Sequence, residues 1–178
     1  MAAEPYTSYE AAVVGAAVRQ LAACAAFRTL VGAVDATAAL GYILELDGGP
    51  MRDGSAVAVA ADDSALDLAT APAWAHVAPE PVSVEGEPIA WLTWQRSGQI
   101  EIELWLRRAA ALSPPEQMRR ALNQLGAVRA AFEGQFGQST NHFLAGHVVS
   151  RLNGRGPESG WTRDLISTTL TIHWRDVP

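Results

Sequence analysis

Lysine is absent from this chain, and all 13 basic residues are arginine. Against 19 acidic residues this leaves a net charge of −6. An acidic chain without a basic cluster lacks the electrostatic footprint of a duplex-binding protein, so no specific nucleic-acid binding is expected. Cysteine is represented once, by Cys24. A lone thiol excludes an internal disulfide framework and a thiolate zinc site, and within an alanine-rich helix it reads as a small buried apolar group. Aromatics make up 7% of the residues. The N-terminal residues have no basic segment and cleavage pattern of a secretory signal. Long apolar runs are missing too: the stretch 11–30 is interrupted by Arg19, Gln20 and Arg28, which argues against a membrane span.

What is present is enough to build one domain. A chain of 178 residues, 49% hydrophobic, can bury a real core. The charge is unevenly distributed. Residues 1–90 carry 3 arginines against 12 acidic groups, whereas residues 91–178 carry 10 against 7. Such opposition suits head-to-tail contact between copies.

The patterned segments predict an α+β class: a small, mostly antiparallel sheet packed against two amphipathic helices in a single domain, 1–178. Thr7-Ser8-Tyr9-Glu10 has the form of a capping box and opens a helix running to about Val31, with Gly32 as its stop. Val14, Val18, Leu21, Cys24, Ala25 and Phe27 form its apolar stripe. Asp35 caps a short turn through Leu40, and residues 41–46 read as a strand. The stretch 47–72, with three glycines and four aspartates after Asp47, is expected to be a mobile loop containing at most a brief strand at Val57-Ala58-Val59. Strand character resumes at Trp74-Ala75-His76-Val77 and ends at Pro79. A turn or hairpin arm at 82–88 and an extended segment at 89–94 follow.

Residues 98–108 alternate strictly. Ile100, Ile102, Leu104 and Leu106 face one side, while Glu101, Glu103 and Trp105 face the other. Ser113-Pro114-Pro115-Glu116 starts a helix to about Phe136, with Met118, Leu122, Leu125, Val128 (or Arg129) and Phe132 at helical spacing. Two terminal strands are predicted, 147–152 and 166–174.

Chemistry-bearing patterns are weak. The four histidines, His76, His142, His147 and His173, have no metal-ligand spacing. Glu101 and Glu103 share a strand face and suit general acid–base work if one is desolvated, but a solvated face is the simpler reading. Asp62, Asp63 and Asp67 lack the glycine and terminal glutamate of a calcium loop. Asn153-Gly154-Arg155-Gly156 lacks the Lys-Ser/Thr of a phosphate loop. No cofactor, catalytic residue or metal ligand is therefore assigned. The expected contact surface comprises Glu101, Glu103 and Trp105, with Arg107, Arg108 or Arg96 pairing the carboxylates on a neighbouring copy.

The phrase Phe27-Arg28-Thr29-Leu30-Val31-Gly32, followed by a Pro72-preceded strand, a Gly98-led strand, a helix and terminal strands, resembles the tail terminator and tail completion proteins of long-tailed phages. This resemblance implies a non-enzymatic virion protein that forms a ring, commonly a hexamer, on the tail tube at the head connector. It would reside in the virion tail or neck, and in the host cytoplasm during assembly. Two other readings stay open at this point: a small α+β hydrolase or isomerase using Glu101 or His76, and a dimeric α/β module that binds a ligand.

Overall fold

The computed structural model describes residues 9–45, 57–79, 97–135, 143–153 and 165–176. The Thr7 cap, the segment 46–56, the arm at 82–88, the strand at 89–94, and Arg96 lie outside them. Among the described residues, four helices, α1 (Tyr9–Ala23), α2 (Ala25–Val31), α3 (Ala36–Leu40) and α4 (Pro114–Gln135), accompany seven strands. These are β1 (Ile43–Glu45), β2 (Val57–Val59), β3 (Ala65–Asp67), β4 (Ala73–Pro79), β5 (Ser97–Arg107), β6 (Phe143–Asn153) and β7 (Leu165–Asp176). The main sheet has the order β1-β4-β5-β7-β6, while β2 and β3 form a separate hairpin. Only the β1–β4 pairing is parallel; the other main-sheet pairings are antiparallel. The expected α+β class with a mostly antiparallel sheet is the class observed.

The first predicted helix is two. Cys24 adopts an extended backbone (φ −65°, ψ 116°), and the segments on either side are bent by 72°. No proline or glycine marks the break. Burial accounts for it: Leu21, Cys24, Phe27, Leu30 and Val31 are all buried, whereas Ala25, placed in the predicted stripe, is exposed. The bend lets α1 and α2 both lie over β4 while α2 also reaches α4. Gly32 ends α2 with φ 77°, left-handed backbone that glycine adopts without steric cost. Asp35 caps α3 as expected, its carboxylate accepting from the Ala38 N–H at 2.8 Å. Among the described residues no single helix is long and apolar enough to cross a membrane.

Alternation on β5 builds the main core. Ile100, Ile102, Leu104 and Leu106 are buried with Ala73, Ala75, Val77, Ile166, Leu170 and Ile172 under the helices. The long pairing of β5 with β7, from Ser97↔Arg175 to Arg107↔Leu165, fixes which residues share that face. At the far edge, β6 shifts register against β7 between Ala145 and Val148, a bulge at Gly146-His147.

Helix α4 buries Leu125 and Val128 as predicted but not Met118 and Leu122, and the Phe132 side chain lies outside the described residues. The helix's inward stripe is Gln117, Ala121, Leu125 and Val128, whereas Met118 and Leu122 are 41% and 54% exposed. The reason is Gln117. Its amide donates to the Ala109 carbonyl and accepts from the Ala109 N–H at 3.2 Å, so a polar side chain is buried with its partners supplied. The first turn closes as a capping box, in which Glu116 accepts from the Ser113 N–H at 2.9 Å and hydroxyl at 2.5 Å.

Two outcomes follow from this packing. Leu104→Ala, at a fully buried position, lowers stability by about 2–5 kcal/mol in chemical denaturation. Leu122→Ala changes it by less than about 0.5 kcal/mol. The Ser113 hydroxyl, then its N–H, hold the Glu116 carboxyl below its ordinary value of 4.5. The cap's contribution is therefore complete above that value and is lost as pH falls through the lowered folded-state value. Glu116→Gln removes this part of the acid dependence, measured as denaturation midpoint against pH.

Candidate functional site

The second face of the sheet carries the residues that the sequence pattern selected. It is organised in rows set by strand register. The first row places Trp74 of β4 opposite Trp105 of β5, and Trp105 opposite Ser167 of β7. The two indoles stack with centroids 5.9 Å apart and planes 9° from parallel. The next row runs from Leu44 through His76 and Glu103 to Thr169, and then to the position of Arg151 on β6. The third brings Ala78, Glu101 and Thr171 into line.

The β2–β3 hairpin lies on the first row. Ala58, Ala60, Leu66 and Leu68 from the hairpin and its flanks form a second small core with Leu44, Ala71, Trp74, Trp105 and Leu165. The region 47–72 thus departs from expectation in its second half. Val57-Ala58-Val59 is a strand as read, but it pairs with Ala65–Asp67, and residues 57–72 are ordered against the sheet. Strand periodicity is legible there in retrospect, in the exposed–buried–exposed pattern of each three-residue strand, but the runs are too short to be distinguished from loop.

Backbone and side-chain bonds hold the hairpin at two points. At one end the Ala61 N–H donates to the Ile43 carbonyl at 2.8 Å, and Gly41 permits close approach. A Cβ at position 41 would sit 3.2 Å from the Asp62 carboxylate and 3.3 Å from the Ser64 hydroxyl. At the other end the Arg107 guanidinium donates through Nε to the Ala71 carbonyl at 3.0 Å and through a terminal nitrogen to the Leu68 carbonyl. The Arg107 N–H donates to the Pro72 carbonyl at 2.9 Å.

These contacts revise the expected contact surface. Trp105 does face away from α4, but it is only 4% exposed beneath the hairpin, so it is a core residue and not a surface open to a neighbouring subunit. Arg107 is likewise committed within the chain. Glu101 and Glu103 are half-buried on the same face, as their spacing requires, and neither is without a partner. Arg108 is exposed. The opposition of His76 and Glu103 was not foreseeable, because it depends on the β4–β5 register.

A shallow cleft of about 390 Å³ opens at the end of β5, lined by Arg107, Arg108, Ala109, Ala110, Leu112, Pro114 and Gln117. Gln117 is bonded to Ala109 and Arg107 to the hairpin's trailing loop, so these polar groups are engaged in holding the chain together. Among the described residues no three His, Cys, Asp or Glu side chains converge as a metal site. The Trp74 indole N–H and the Ser167 hydroxyl are buried without a hydrogen-bond partner among the described residues.

No family model matches the chain, and no curated protein matches it.

Trp105→Ala removes one half of a buried stack and is expected to cost about 3–5 kcal/mol. Arg107→Ala, which frees two carbonyls, costs about 1.5–3 kcal/mol. Both should reduce the near-ultraviolet dichroism of the stacked indoles, measured beside the denaturation midpoint.

Proposed function

We propose that this chain is a structural subunit of a phage or prophage-derived particle that forms a ring, a hexamer, at the tail–head interface, in a tail terminator or completion role. The observation that supports this most is the order and punctuation of the elements. The Phe27-x-x-Leu30-x-Gly32 phrase buries Phe27 and Leu30 and ends α2 at a left-handed glycine. A Pro72-preceded strand follows, then β5 through Gly98, helix α4 and two long terminal strands. This is the layout that the resemblance to the junction proteins implies.

The side-chain chemistry is compatible with a role played by shape. The carboxylates of the open face lie along the sheet in successive rows. Arg107 and Gln117 of the cleft are bound to main-chain groups. In this reading the protein acts without a cofactor, its partners are further copies of itself, the tail tube and the head connector, and its place is the virion tail or neck.

The test is direct. The protein is mixed with tail tubes from the particle whose genes adjoin its own and imaged by electron microscopy. Sixfold rings capping tube ends are the expected outcome. Tubes that remain uncapped at saturating protein, with the protein folded, overturn the junction role.

A further inference from the structure

Two exposed apolar patches of opposite charge lie on opposite sides of the sheet. The first is on α4, where Met118 and Leu122 occupy adjacent turns and are 41% and 54% exposed. Arg119 is exposed on the same outward half of the helix. The second is on the hairpin, whose outward face carries Val57 and Val59, 53% and 68% exposed. Asp67 stands opposite Val57 in the hairpin register, and Asp62 and Asp63 occupy the exposed turn. Asp67 accepts from Ala69 and Thr70, and Asp62 accepts from Ser64, so both carboxylates are held in place.

We propose that these patches are the two halves of one contact between copies of this chain, with α4 of one copy seated on the β2–β3 hairpin of the next. Three observations carry the pairing. The patches are complementary in charge, arginine beside apolar residues on one and aspartates beside apolar residues on the other. Each presents a pair of aliphatic side chains of similar size, so contact removes both from water. They cannot meet within one chain, because α4 packs on the helix-covered face of the sheet while the hairpin covers the opposite face. A contact between two different surfaces is heterologous and therefore propagates head to tail, as a ring where the rotation between copies closes and as an open filament where it does not. The inference rests on the ring reading for closure, but the pairing of the two surfaces stands on their chemistry.

The experiment uses the full chain and two double variants at exposed positions. R119E/L122E makes the helix face acidic. V59R/D63N sets an arginine in the middle of the hairpin's apolar face and takes away one of its three aspartates, and asparagine tolerates the left-handed backbone at position 63 (φ 64°). Circular dichroism and thermal midpoints establish that each is folded, and sedimentation velocity is measured over a concentration series reaching millimolar.

The wild type is expected to associate, each double variant alone to sediment as a monomer, and an equimolar mixture to regain association. The mixture pairs the glutamates of the altered helix face with the arginine of the altered hairpin face at one contact and native faces at the other. Association of either variant alone at the wild-type level overturns the pairing, as does a mixture that remains monomeric. A wild type that stays monomeric throughout also overturns it. Tube-capping rings unaffected by either variant would overturn the pairing and leave the junction role standing. Head-to-tail association without tube binding would do the reverse.

Discussion

The structure depends on the two-residue period of β5. Because successive side chains of a strand point to opposite faces, one eleven-residue segment supplies both hydrophobic cores. Ile100, Ile102, Leu104 and Leu106 anchor the helices, and Trp105, between the last two, anchors the hairpin. Its neighbours β4 and β7 copy the alternation through register, so Ala73, Ala75 and Val77 fall on the helix side and Trp74 falls on the hairpin side. A one-residue slip would exchange the two cores and present Glu101 and Glu103 to the helices, where two carboxylates would have to be desolvated. The glutamates therefore help to enforce a single register.

Elements with long periodic runs are legible in the sequence alone. The β5 alternation, the helix opened by Ser113-Pro114, the terminal strands, the Gly32 stop and the Asp35 cap all follow from local chemistry. What escaped depends on distant partners. The break at Cys24 has no local breaker and follows from the need to bury Leu21 and Phe27 against differently placed surfaces. Gln117 disguised the inward face of α4 because a buried glutamine is acceptable only when something supplies its bonds, here Ala109. Met118 and Leu122 looked like core for the complementary reason: their hydrophobicity is real, but the core does not reach them.

The surface assignment was half legible. Placing Trp105 and the two glutamates on the face away from the helices needed only the strand period. Knowing that this face is itself partly roofed needed the hairpin, whose three-residue strands carry too little pattern to declare themselves. Once the hairpin is placed, Trp105 is covered, and the exposed large apolar residues among those described include the valines on the hairpin's outer side, the methionine and leucine on α4, Val34 and Leu112.

The unequal size of the two cores gives the domain two levels of cooperativity. The helix-covered core draws on α1, α2, α4 and four strands of the sheet, whereas the hairpin is held by a handful of small aliphatic side chains, the indole stack, one bond to Ile43 and the Arg107 fork. Opening of the hairpin therefore costs less free energy than global unfolding, and the amide protons of β2 and β3 exchange by this cheaper route while those of β5 and β7 wait for the whole domain. Such an opening bares Trp74 and Trp105 without disturbing Leu104, one residue away on the same strand. Seating a neighbouring chain on the outer side of the hairpin would close this route, raising the exchange protection of the smaller core toward that of the larger one.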